Sequence, residues 1–89
     1  MPYRVVKYQA TPNPNAVKVM LDKPITDRPR SFRSPADSEG DPLADRFFAI
    51  EGVAGLLFNG DWFTINKSAD ADWAAIKKIV ERELAELPD

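Results

Sequence analysis

The side chains in this sequence with the means to do chemistry are carboxylates and arginines. Asp22, Asp41, Asp61 and Asp72 are spread along the chain, and an acid pair for hydrolysis needs one such group pushed into an apolar site. Each of them also sits where a turn or a helix cap explains it. Arg28, Arg30 and Arg33 form a local basic run interleaved with Pro29, Ser31 and Phe32. The run reads either as an anion site or as a solvated loop with a charge-guarded edge strand. Gly40, Gly52, Gly55 and Gly60 fall at turn, cap or strand positions, not in a phosphate-binding loop. Cysteine and histidine are both absent from the 89 residues. Their absence removes thiolate nucleophiles, disulfides, thiolate and imidazole ligands for metals, and the acid/base group that titrates near neutral pH unaided. No catalytic set, metal site or cofactor is therefore expected. The protein is read as acting through its surface.

Composition narrows the partners. A net charge of −2 and a pI near 5.1 argue against nucleic acid, whose phosphates call for clustered Lys and Arg. At 44% hydrophobic and 29% charged the chain is globular in type. Its length fits one domain over residues 1–89, burying roughly 60–65% of its unfolded surface. The start, Met-Pro-Tyr-Arg-Val-Val-Lys, has no sustained apolar run, and no stretch is long enough to span a bilayer. A soluble cytoplasmic protein with no membrane partner is the expectation.

The elements that position these residues follow from apolar periodicity. Tyr3 to Gln9 reads as a strand. Thr11-Pro12-Asn13-Pro14-Asn15 reads as a rigid turn, because its prolines cannot donate to a ladder and its asparagines tolerate turn geometry. Ala16 to Leu21 alternates, with Val17, Val19 and Leu21 on one side and Lys18 on the other, and forms a hairpin with the first strand. Asp22 to Asp41 is a Pro-, Ser- and Asp-rich loop in which a short edge strand is expected around Arg30 to Arg33. Asp41-Pro42 caps and starts a helix whose stripe is Leu43, Phe47 and Ile50, and Gly52 ends it. Trp73, Ile76, Val80, Leu84 and Leu87 mark a second, amphipathic helix, favoured at its start by Asp70 and Asp72 and stopped by Pro88.

Between the helices, Val53 to Phe58 and Trp62 to Lys67 flank Asn59-Gly60, a strong hairpin signal. If those two residues are the loop, Phe58 faces Asp61, Leu56 faces Phe63 and Ala54 faces Ile65. The other side then pairs Leu57 with Trp62 and Gly55 with Thr64. The order strand, strand, strand, helix, strand, strand, helix implies an α+β fold, a two-layer sandwich of a mainly antiparallel sheet with both helices on one face. The opposite face stays open.

Several stretches line up, in order, with one known pattern. Thr11-Pro12-Asn13-Pro14-Asn15-Ala16-Val17-Lys18 fits Thr-x-Asn-Pro-Asn-Ala followed by a small strand with Lys, and Lys23-Pro24 fits the Lys-Pro after it. Asp41-Pro42-Leu43-Ala44 corresponds to Ser-Pro-Leu-Ala, and Phe48-Ala49-Ile50-Glu51-Gly52-Val53 to Phe-x-Ile-x-Gly-Val. Asp61-Trp62-Phe63-Thr64-Ile65-Asn66-Lys67 corresponds to Asp-Phe-Ile-Thr-Val-x-Lys, with Trp62 where phenylalanine is usual, and Asp72-Trp73 to the start of the last helix. Together they resemble the N-terminal domain of the Nfu/NifU iron–sulfur scaffold family. In that family the cluster is held by a Cys-x-x-Cys pair in a C-terminal domain, which has no counterpart in these 89 residues. The resemblance implies a stand-alone domain of this fold with an accessory place in iron–sulfur biogenesis, contacting other proteins. Iron binding, a label that goes with the family, needs ligands this sequence does not contain.

Two protein-contact candidates result. One is the Asn13, Pro14, Asn15 turn, read either as architecture or as a loop presented to a partner. The other is Leu57 with Trp62, exposed if the helices cover the Leu56/Phe63 face. Arg28, Arg30 and Arg33 remain as the anion-binding candidate. The leading expectation is a non-enzymatic protein-binding module, monomeric or weakly homodimeric. The alternatives are a small carboxylate/arginine hydrolase or ligand-binding enzyme, and a structural homodimer joined through the open face.

Overall fold

Apolar residues alternating with polar ones decide which side of each strand is buried. The computed structural model describes residues 3–38 and 40–87. Strands β1 (Val5–Ala10), β2 (Ala16–Leu21), β3 (Arg30–Phe32), β4 (Val53–Asn59) and β5 (Trp62–Lys67) form one sheet in the order β1-β2-β5-β4-β3. Every pairing is antiparallel. Helices α1 (Pro42–Phe48) and α2 (Trp73–Glu86) supply the second layer, giving the expected α+β sandwich. A single 3-10 turn at Pro35–Ser38, which the sequence did not signal, breaks up the long loop. Pro88, read as the stop for α2, lies outside the described residues. None of the described helices is long and apolar enough to cross a membrane.

The core lies between the layers. Val17, Val19 and Leu21 of β2 are buried, as are Leu56 and Phe58 of β4, Phe63 and Ile65 of β5, and Ile76, Val80 and Leu84 of α2. Phe47 of α1 stands at the centre, with ring centroids 5.2 Å from Phe63 and 6.1 Å from Phe58. Ala44, which the helical stripe Leu43, Phe47, Ile50 omitted, is fully buried, whereas Leu43 is only partly so. A small residue there lets α1 approach the sheet closely.

The β4–β5 hairpin differs from its expected register. Its loop is Gly60-Asp61, closed by Asn59 opposite Trp62, so Phe58 faces Phe63 and Leu56 faces Ile65. Gly60 has φ +61, and no described residue other than glycine has a positive φ. The positive φ therefore sits at the first central position alone, as in a type II′ turn, and Asn59 stays in the strand. The slip preserves the faces of Leu56, Leu57, Phe58 and Trp62, but an irregularity between Val53 and Gly55 leaves Ala54, expected opposite Ile65 on the buried side, exposed. The slip also replaces a buried phenylalanine facing an aspartate with two aromatic rings whose centroids are 5.3 Å apart.

Asp41 joins the edge strand to the helical layer. Its Oδ1 accepts the backbone N–H groups of Leu43 and Ala44, both at 3.1 Å, and its Oδ2 accepts Nη1 of Arg30. Arg30 also has a buried Nε with no hydrogen-bond partner, so its guanidinium leans heavily on this carboxylate. Asp41→Ala removes cap and ion partner together and is expected to lower stability by about 2 kcal/mol. Urea denaturation checks this; Asp41→Asn, which keeps the cap oxygen, should cost roughly half as much.

Candidate functional site

The strand registers assign the side chains of the open face. One row across the sheet runs Lys7, Met20, Trp62, Asn59, and the next runs Gln9, Lys18, Thr64, Leu57, Ser31. Leu57 and Trp62 thus share this face as expected, but they are not directly opposite: Leu57 faces Thr64, and Trp62 lies between Asn59 and Met20. The apolar part is a patch made by Met20, Trp62 and Leu57. All three are partly buried, yet none belongs to the core or packs against it. The Lys18 ammonium lies 4.3 Å from the Trp62 ring centroid, a cation–π contact that covers part of the indole. Because Trp62 stands apart from the core, Trp62→Ala is expected to lower stability by only about 1 kcal/mol in chemical denaturation. Outright unfolding would instead make it a core residue.

The Asn13–Asn15 turn lies at the other end of β2, about 13 Å of strand away from Trp62. Its polar atoms are largely used in building it. The Asn13 side-chain oxygen accepts the N–H of Asn15 at 2.9 Å, its carbonyl accepts the N–H of Ala16 at 3.0 Å, and its own N–H donates to the Thr11 hydroxyl at 3.2 Å. Two distant residues clamp it from outside. Lys67 Nζ donates to the Asn15 side-chain oxygen at 3.1 Å, and the Trp73 indole N–H donates to the Pro14 carbonyl at 3.2 Å. The turn is therefore a strut that ties β2 to the end of β5 and the start of α2. Asn13 and Pro14 remain exposed.

Tyr8, on the helix side of β1, donates its hydroxyl to Glu81 at 2.7 Å and carries the Lys77 ammonium 4.6 Å from its ring centroid. Burial first, then the hydrogen bond to Glu81 and the charge of that carboxylate, push the phenol well above its ordinary value. It stays protonated and donating throughout the neutral range.

The structure places the arginines and carboxylates in separate roles. Arg30 points to the helix side, where Asp41 takes it, while Arg28 and Arg33 are exposed. Asp72 caps α2, accepting the N–H of Ala74 at 3.3 Å, and Asp22 accepts the N–H of Arg4 at 3.1 Å. Asp61 is exposed in the hairpin loop. Among the described residues no three Asp, Glu, His or Cys side chains are grouped to hold a metal ion. An iron–sulfur cluster requires thiolates or imidazoles, so the donors present do not fit one.

Residues 6–87 match the sequence pattern of the family described as "Scaffold protein Nfu/NifU N terminal". The chain belongs to this family. Among curated relatives, the human "NFU1 iron-sulfur cluster scaffold homolog, mitochondrial" is 38% identical over 77 residues, covering 84% of this chain and 30% of that protein. The like-named Drosophila ananassae protein is 34% identical over 74 residues, covering 81% of this chain and 26% of that protein. The chain thus spans under a third of the length of these scaffold homologs. The crystal structure of Staphylococcus aureus protein SAV1430 superposes with a TM-score of 0.70 at 20% identity, covering 89% of this chain and 95% of that one. That likeness is one of fold. A Staphylococcus epidermidis protein solved by solution NMR gives a TM-score of 0.56 at 26% identity, covering 90% of this chain and 98% of that one. In this member of the Nfu/NifU N-terminal family, the Asn13-Pro14-Asn15 segment is a strut between β2, β5 and α2.

Met20 and Lys18 are the open-face residues of β2 that stand beside Trp62 and that the two contact candidates omitted. The signal was present: both alternate with the buried Val17, Val19 and Leu21, which sends them to the opposite side. Their proximity to Trp62 depends on β2 pairing with β5, a contact between distant segments.

Proposed function

We propose that this domain is a non-enzymatic protein-binding module of iron–sulfur cluster assembly, and that it binds its partner through the open face of the sheet. The observation that carries the reading is the Met20, Trp62, Leu57 patch, which lies on the side away from both helices and outside the core. Tryptophan at the centre of such a patch is a frequent binding hot spot. The pathway is supported by membership of a scaffold family and by the names of the human and fly relatives. A cluster itself would be cargo held by another protein or domain, since this chain offers no thiolate.

Asn13, Pro14 and Asn15 form a secondary contact in this proposal, because a clamped turn presents its exposed residues at low entropic cost. Cytoplasmic location and a monomeric or weakly homodimeric state are further parts of it; "mitochondrial" in the relatives' names describes those proteins. The hydrolase reading has less support. Asp41 and Asp72 cap helices, and Arg30 is committed to Asp41. Deleting the gene in the source organism should lower the activities of iron–sulfur enzymes in lysates, with restoration by the wild-type chain. Unchanged activities would overturn the pathway.

A further inference from the structure

The strands of this acidic chain contain no acid. Although the protein carries 14 Asp and Glu residues and a net charge of −2, none of these residues falls within β1 to β5. Four strand positions are cationic: Lys7, Lys18, Arg30 and Lys67. Arg30 is taken by Asp41 on the helix side, and Lys67 donates to Asn15 at the end of the sheet. Lys7 and Lys18 remain, and both point to the open face, where they flank Met20 and Trp62. This face is thus an apolar patch flanked by two lysines, with Asp61 in the hairpin loop next to Trp62, on a molecule of net negative charge.

We infer that the occupant of this face is an acidic amphipathic segment of a partner protein, with an apolar stripe for Met20, Trp62 and Leu57 and flanking carboxylates for Lys7 and Lys18. The inference rests on the proposed use of the open face and adds the partner's chemistry. Complementary charge at the rim of an apolar contact sets which partner is accepted and how fast it arrives. Lys18 suits this role because its ammonium rests on the indole of the free protein and can turn to a carboxylate that arrives beside it. A second copy of the chain is disfavoured, since two such faces pressed together crowd lysines against lysines. An anionic membrane or a nucleic acid is also disfavoured: each basic residue contributes about 1 kcal/mol at an anionic surface, too little for two lysines to hold the protein there.

The test uses the 15N-labelled protein and its two indole N–H resonances, assigned with Trp73→Phe. The probes are a helical peptide with a leucine stripe and glutamates elsewhere, the same peptide with lysines in place of glutamates, and phosphatidylserine vesicles. The expected result is that the glutamate peptide shifts the Trp62 resonance and leaves Trp73 in place, binding about tenfold more tightly than the lysine peptide. Lys18→Glu should abolish that preference while the protein stays folded. Equal binding of both peptides at Trp62 overturns the charge inference and leaves the open-face reading standing. No shift of Trp62 with either peptide, or a shift with vesicles alone, overturns both.

Discussion

Phe63→Ala is expected to produce the largest loss of stability of any single truncation in this protein. Phe63 is fully buried and lies 5.2 Å from Phe47 and 5.3 Å from Phe58, ring centroid to centroid. Removing its ring takes away the contact that joins β5 to α1 and leaves a void that a two-layer domain cannot fill by collapse. The cost should be about 3–5 kcal/mol. In a domain of this size that lowers the melting temperature by roughly 15 °C or more. Differential scanning calorimetry checks it. A drop of only a few degrees would mean that the aromatic cluster is not the centre of the core.

Gly52→Val should come close to it, for a different reason. Gly52 has φ +96, and a Cβ placed there would sit 2.7 Å from the Cβ of Ala71 and 3.4 Å from Cδ1 of Ile76. Its carbonyl also accepts the N–H of Ser68 at 2.9 Å, so the backbone cannot move away without breaking that bond. A β-branched residue adds conformational strain to steric overlap, and the sum is expected at about 3 kcal/mol. Gly60→Ala is the control. Its φ is also positive, but nothing lies within 4 Å of the added carbon, so the cost should be confined to about 1–2 kcal/mol of backbone strain. Equal losses for the two substitutions, measured by urea denaturation, would show that the contact with Ala71 does not matter.

Local chemistry explains why so much of the fold was legible. Asp41-Pro42 is a cap followed by a residue preset for a helix, and both do that work in α1. The alternation in β2 identified its buried side because a pleated strand leaves no other option. What local pattern could not decide was anything set by contact between distant residues. Asn59-Gly60 and Gly60-Asp61 are both acceptable two-residue loops, and the choice between them fell to the packing of Phe58 against Phe63. The Asn-Pro-Asn turn could be read as architecture or as a presented loop, and its sequence does not show what holds it. Its clamps, Lys67 and Trp73, lie 52 and 59 residues further along. Arg28, Arg30 and Arg33 looked like one basic group until Asp41, from the next element, took Arg30. The open face itself followed from element order, but its composition required the neighbours β2 and β5 to be known.

In the proposed function this protein contributes a surface rather than a donor set, and that surface is the patch around Trp62. The measurement that tests it most directly is rescue of a gene deletion by Trp62→Ala, read as iron–sulfur enzyme activity, with circular dichroism of the purified variant as proof of fold. A folded Trp62→Ala that fails to restore activity, beside an Arg28→Ala that restores it fully, is the predicted result. Full restoration by a folded Trp62→Ala would contradict the account.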